Sequence, residues 1–363
     1  CLLCGRCSSI CPQGVQHDKV VLSSRAEMFS RQGGSASESL VKWLLTHPAP
    51  FRQMLRLSAR AQVLLPKSMG SEGPNEAPIV RYVPIIFSHH HPPRRIPSIA
   101  GRFLSDLVPE LNESTAPEKK PARIVYFAGC ATEYIYPNAG ARLVETMNAM
   151  GADVWYPRDL LCCGIPILAG GDSATARQIA RKNIAVLLRF KPDCVVTGCA
   201  TCASTLRDVW PTLLEGGEKE QALDLSRKVQ DAAELIRVLN GYRFANFRSR
   251  LPANSRVTYH YPCHSLRYHD ASAYPVDLLK QVFASDYVEL ENTSCCGCGG
   301  SFNLHHYDLS RRIGEIKIDA IRRTRADYVV TSCPGCMIQI TDGLHRSGLP
   351  LKVVHLMEAI VPG

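Results

Sequence analysis

The segment RIVYFAGC at residues 123–130 and its counterpart RVTYHYPC at residues 256–263 decide how this chain is read. Each is a short β-branched and aromatic run that ends on a cysteine and opens a set of five. Cys130, Cys162, Cys163, Cys199 and Cys202 recur as Cys263, Cys295, Cys296, Cys333 and Cys336, offset by 133 residues for the first three and 134 for the last two. Five matched positions with a one-residue slip mark an internal duplication. Its two copies read C-x31-CC-x35-C-x2-C and C-x31-CC-x36-C-x2-C.

Around the cysteines, strand-like runs alternate with amphipathic stretches. The first copy continues through ARLVETMNAMG, DVWYPRDLLCCG, SATARQIARKNIAVLLRF and CVVTGC; the second through PVDLLKQVFA, DYVELENTSCCG, LSRRIGEIKIDAIRRT and DYVVTSC. Such alternation predicts right-handed βαβ units and a largely parallel sheet in each copy. The cysteines then fall at the carboxyl ends of strands, where open α/β sheets build their sites. A crevice at each sheet edge, or between the halves, is expected. Adjacent cysteines point apart in a regular strand, so both can face one centre only if the chain turns sharply. Gly164 and Gly297, directly after each pair, permit that turn. Five thiolates exceed the four of a tetrahedral zinc or an ordinary cubane, which implies an unusual cluster or a spare ligand.

The chain opens on CLLCGRCSSICP, in which Cys1, Cys4, Cys7, Cys11 and Pro12 follow the C-x2-C-x2-C-x3-C-P run of bacterial [4Fe–4S] ferredoxins. In two-cluster ferredoxins the fourth cysteine serves the other cluster, and the chain begins at Cys1 without methionine, so an upstream motif is expected in a missing N-terminal piece. Residues 12–66 carry apolar spacing of helical type, interrupted at Pro48 and Pro50. Between about Ser68 and Pro121 the composition turns to Pro, Gly, Ser and charge, which predicts a linker across the surface. The expected division is a ferredoxin-like and helical module at 1–67, a linker at 68–122, and α/β units at 123–240 and 241–363.

Composition narrows the function class. Sixteen cysteines in 363 residues are too dilute and too clustered for a small disulfide scaffold, and metal ligation in a reducing compartment fits better. The formal charge of +9 is scattered rather than gathered into a basic arm, which excludes a nucleic-acid footprint. Basic patches such as Arg94–Arg95 and Arg322–Arg323 suit a solvated surface or an acidic partner subunit. No apolar run is long enough to span a bilayer. No G-x-G-x-x-G stretch follows a strand, so no flavin is expected in this chain.

FAGCATEYIYP, LLCCGIP, TGCATC, CCGCGGSFNL and TSCPGC make the chain resemble the tandem CCG, or cysteine-rich domain, iron–sulfur subunits. That family includes the glycolate oxidase and D-lactate dehydrogenase types and is related to the B/D-type subunits of heterodisulfide reductase. The resemblance covers residues 1–20 and about 123–360. It implies a [4Fe–4S] cluster at Cys1, Cys4, Cys7 and Cys11, and one or two further [4Fe–4S] clusters, cubane or non-cubane, held by the two quintets. It implies an electron-transfer subunit that relays electrons from a flavoprotein 2-hydroxy-acid dehydrogenase toward a quinone- or cytochrome-linked membrane subunit. The expected location is cytoplasmic, with any membrane association through partner subunits. The alternative is a heterodisulfide reductase-like enzyme that cleaves a disulfide at a cluster; a zinc-stabilised interaction protein is the blandest reading.

Residues outside the quintets are read as structural first. Cys194 opens an apolar strand as a small buried hydrophobe, and Cys298 is a non-ligating neighbour of the second pair. His89, His90 and His91 read as a solvated loop. His264, His305 and His306 lie near the cysteines and are candidates to hydrogen-bond cluster sulfur.

Overall fold

The computed structural model describes residues 1–32, 36–62, 79–81, 95–117, 120–241, 246–269 and 273–363. His89–His91 and Arg94 lie outside them. The protein is mixed α/β with parallel sheets.

Short strands β1 (Ile79–Arg81) and β2 (Arg95–Pro97) pair antiparallel. The first large sheet runs β3-β5-β4-β6-β7, from β3 (Leu111–Asn112), β4 (Lys120–Tyr126), β5 (Ala152–Trp155), β6 (Cys194–Thr197) and β7 (Val229–Asp231). All its pairings are parallel except β3 with β5. In the second half β8 (Phe247–Ser249) pairs antiparallel with β12 (Ile360–Pro362). There β9 (Val257–Tyr259), β10 (Tyr328–Thr331) and β11 (Lys352–His355) form a parallel sheet with order β11-β10-β9. The partner that β5 gives β4 survives beside β9 only as a single parallel bridge, Val257 to Tyr287.

Helices 173–189 and 307–324 show why the sequence packs as it does. Ile179, Ile184 and Leu187 in the first, and Ile318 and Ile321 in the second, recur at helical spacing and are buried, while Arg181, Arg189, Arg312, Arg322 and Arg323 are exposed. Asp172 caps the first by accepting from Thr175 N–H at 3.0 Å. Two buried clusters result, and each draws residues from both halves.

The N-terminal segment is helical at Arg6–Ile10, His17–Gln32, Ala36–Thr46 and Pro48–Ala61. The interruption expected at Pro48 falls between Thr46 and Pro48, and Pro48 starts the next helix, in the first turn where its missing N–H costs nothing; Pro50 lies within that helix and does not break it. These helices dock on the first half through Lys42 to Asp172 at 3.0 Å and Lys182 Nζ to Thr46 O at 3.0 Å. The surface course expected between 68 and 122 does not hold where that stretch is described. Phe103 and Leu104 are buried, Asp106 caps Phe103 N–H at 2.9 Å, and β3 extends the sheet. Apolar residues widely spaced among polar ones hide such anchors from periodicity. Arg322 of the basic patch pairs with Asp319 at 2.6 Å.

Trp210, fully buried, fixes the first half: its Nε1–H donates to Cys163 O at 3.0 Å and its ring meets Phe127 edge-on at 5.9 Å. Trp210→Ala should cost about 3–5 kcal/mol in denaturant unfolding. Trp210→Phe should cost less, about 1–3 kcal/mol, by leaving the Cys163 carbonyl unpaired.

Candidate functional site

The parallel sheets deliver the cysteines to one place. Cys130 begins a helix at Cys130–Tyr134 shortly after β4, and Cys199 is the N-cap of Ala200–Ser204 just beyond β6. Cys263 follows β9, and Cys333 occupies the N-cap position of Pro334–Arg346 after β10. The adjacent pairs sit in loops that turn at Gly164 and Gly297, with φ of 93° and 96°. These left-handed conformations are what the paired cysteines require to face one way.

All ten quintet cysteines, with Cys298, line one cavity of about 160 Å³ between the halves. Among the described residues, no charged side chain lines it. Nine of the ten are buried and Cys130 is half-buried. Their thiols form a continuous row of contacts. Cys130 meets Cys162 at 3.5 Å, and the row continues through Cys163, Cys202 and Cys199 to Cys333 of the other half. From Cys333 it passes to Cys336, on to Cys296 at 3.4 Å, then to Cys295 and Cys263. The two quintets therefore share a wall, the outcome sequence spacing left open between separate crevices and an interface.

Sulfur neighbours set the proton affinities. Hydrogen bonds from Cys199 and Cys336 hold the Cys333 thiol well below its usual value, and that from Cys295 does the same for Cys296. Cys163 and Cys199, acting on Cys202, push that thiol well up, with burial adding to the effect. Thr201 Oγ1 lies 3.4 Å from Cys333 Sγ and 3.3 Å from His264 Nδ1. His264 lines the cavity with Nδ1 3.9 Å from Cys263 Sγ, whereas His305 and His306 are exposed.

Of the opening motif, Cys4 reaches this site. A hydrogen bond with Cys295, then burial, push its thiol up. Arg267 holds Cys4 O at 3.2 Å, Arg25 holds Cys1 O at 2.8 Å, and Leu2 and Leu3 line the cavity. Cys1 and Cys7 are exposed and Cys11 is half-buried. Cys194 lies in β6 away from the cavity, with Sγ 3.7 Å from Gln230 Oε1.

The residue that sequence reading missed is His260. It is fully buried, and one of its ring nitrogens, Cys296 Sγ and Cys336 Sγ lie within 4.8 Å of one another. Neither ring nitrogen has a hydrogen-bond partner among the described residues. Burial, then the nearby Lys317 charge, push its pKa down to about 3, so the ring is neutral. The available signal was the repeat itself: position 260 matches Phe127, a core position.

Fold and site thus define a cysteine-rich α/β protein whose two sets of soft donors share one buried cavity. The cysteine-rich domain model, CCG, matches residues 124–207 and 257–341. Lactate utilization protein A of Geobacillus sp. (strain WCH70) is 30% identical over 241 residues, 66% of this chain and 98% of that protein. The probable glycolate oxidase iron-sulfur subunit of Bacillus subtilis is 26% identical over 99% of this chain and 81% of its own. A fumarate reductase (CoM/CoB) subunit of Methanothermobacter marburgensis is 29% identical over 75% of this chain, which spans about half, 52%, of that relative. The chain belongs to the tandem CCG cysteine-rich domain family of these subunits.

The two turn glycines are not equivalent. A Cβ at Gly164 would touch Ile179 at 3.4 Å, but one at Gly297 would meet Ser310 O at 2.5 Å. Gly164→Ala should cost about 1–2 kcal/mol for its left-handed backbone. Gly297→Ala should cost a further 1–3 kcal/mol or so for overpacking. Paired denaturant titrations check the order.

Proposed function

We propose that this chain is an iron–sulfur electron-transfer subunit, which accepts electrons from a flavin-dependent 2-hydroxy-acid dehydrogenase subunit and passes them toward a quinone or another membrane carrier. The observation that carries this reading is the unbroken row of thiols, ten from the quintets and Cys4 beside them, around a cavity that no charged side chain among the described residues lines. Five thiols in each set, one more than a four-ligand zinc uses, lining a cavity without carboxylates among the described residues, fit an iron–sulfur group better than a tetrahedral zinc.

In this reading Cys130, Cys162, Cys163, Cys199 and Cys202 hold one group, and Cys263, Cys295, Cys296, Cys333 and Cys336 a second. Cys1, Cys4, Cys7 and Cys11 hold a cubane in a ferredoxin-like module over 1–67, ahead of repeated units at 123–240 and 241–363. When bound, such groups take up and release single electrons at potentials set by charge, burial and hydrogen bonds to sulfur. The chain's own residues position and insulate. Leu2, Leu3 and Ile165 keep the cavity apolar, Thr201 steadies Cys333, and Arg25 and Arg267 pin the opening loop by its carbonyls. The contact of Cys4 with Cys295 supports a short path from that module to the second quintet.

The donor class rests on the glycolate oxidase and lactate utilization relatives. Among the described residues no helix is long and apolar enough to cross a membrane. The reading places the chain on the cytoplasmic side, with any membrane attachment through partner subunits.

The test is anaerobic purification with the native partners, iron and acid-labile sulfide counts, and electron paramagnetic resonance across a redox titration. About twelve irons per chain are expected, four for each [4Fe–4S] group. Zinc without labile sulfide would sink the reading. Disulfide cleavage by the chain in the absence of its flavoprotein would replace it with the reductase.

A further inference from the structure

The two quintets match in sulfur but not in what backs the sulfur. Phe127 and His260 stand at equivalent places. Each follows a buried strand tyrosine and precedes the first quintet cysteine by three residues. Their backbone N–H groups donate to Val196 O and Val330 O, both at 2.9 Å. Phe127 spends its ring on Trp210. His260 places an imidazole, unpartnered among the described residues, against Cys296 and Cys336.

One layer out the contrast repeats. Asn183, buried on helix 173–189, bonds Cys162 O at 2.9 Å and Leu161 N–H at 2.7 Å and carries no charge. Its counterpart on helix 307–324 is Lys317, whose Nζ donates to Asn292 O and whose charge acts on Cys296, Cys336 and Cys295. The second site therefore has an N–H donor and a cation where the first has a phenyl ring and an amide. Hydrogen bonds to sulfur and positive charge both stabilise the reduced, more negative form of a thiolate-bound redox group.

Resting on the iron–sulfur reading, we propose that His260 is a positioning residue that makes the two sites unequal: once an iron–sulfur group is bound at the second quintet, the ring N–H, which has no partner among the described residues without it, donates to sulfur of that group and, with Lys317 behind it, holds that site at the higher reduction potential. One electron then leaves the group at the first quintet, which is oxidised, and enters the group at the second, which is reduced. No proton moves, because the N–H stays on the ring. Electrons supplied by the flavoprotein collect at the quintet that Cys4 touches.

The experiment is a resonance-monitored redox titration of the full chain, loaded and purified with its native partners, for wild type, H260F, H260Q and F127H. In wild type the second site should accept the electron at least tenfold more favourably than the first, about 59 mV for one electron. H260F should erase most of that preference at unchanged iron content, and H260Q, which keeps an N–H, should retain it. F127H should raise the first site and narrow the gap from the other side, and it decides the matter if H260F loads poorly. Potentials unmoved by F127H or by loaded H260F overturn the inference. So does a nitrogen bonded directly to iron in the pulsed spectrum, which makes His260 a ligand. Wild-type protein without iron removes the underlying reading instead.

Discussion

Everything in this structure depends on two turns that meet across the halves, Gly198–Thr201 after β6 and Ser332–Gly335 after β10. Ala200 N–H donates to Ser332 O at 2.9 Å, and His355 Nε2–H donates to Gly198 O at 2.7 Å while Met357 N–H occupies its other nitrogen. This junction places Cys199 against Cys333 and so joins two rows of thiols into one. The arrangement has a cost. Buried thiols in contact cannot all ionise, since each thiolate disfavours the next and burial disfavours every charge. Protons shared along the row, or metal, must neutralise them. A fold that accepts such a concentration of sulfur is shaped around what the sulfur binds.

Around that junction the halves diverge as distance from the cysteines grows. The strands that deliver cysteines keep their parallel register, β4 with β6 and β9 with β10. The outer partner does not: β5 is a strand, while its counterpart is one bridge at Tyr287. The loops of the paired cysteines are tethered by different side chains, Asn183 and Trp210 on one side, Ser310 and Lys317 on the other. The order of the cysteines is held alike while the surrounding polarity is free to differ. Donor atoms decide whether a redox group binds; the next layer tunes it.

The N-terminal segment closes the same cavity from a third side. Leu2 packs where a Cβ at Gly299 would collide with it at 2.5 Å, which ties the opening loop to the second cysteine-pair region. Helices 17–32 and 36–46 hold that loop through Arg25, whose second guanidinium nitrogen donates to Ala169 O at 2.8 Å, and through the Lys42–Asp172 pair. Lys42 also lies 4.0 Å over the Phe29 ring, which joins the two helices to each other.

Much of this was legible in the residues. Cysteine spacing shows the duplication, and the runs RIVYFAGC, CVVTGC and DYVVTSC mark parallel strands that end on sulfur. The glycines after the paired cysteines foretell the turn that φ near 95° then makes. The break at Pro48 was legible, but anchors such as Phe103 were not. They follow no period, and burial at a single position depends on what a distant segment presents. The meeting of the two quintets was beyond the sequence for the same reason. Spacing within a repeat is local, but the approach of Cys199 to Cys333 is fixed by two sheets packing across a shared core. His260 is the sharpest instance: along the chain it is one strand residue among aromatics. Only tertiary packing sets its ring beside Cys296 and Cys336, because side chains 36 and 76 residues away meet it through helix and loop placement rather than through any pattern in the chain.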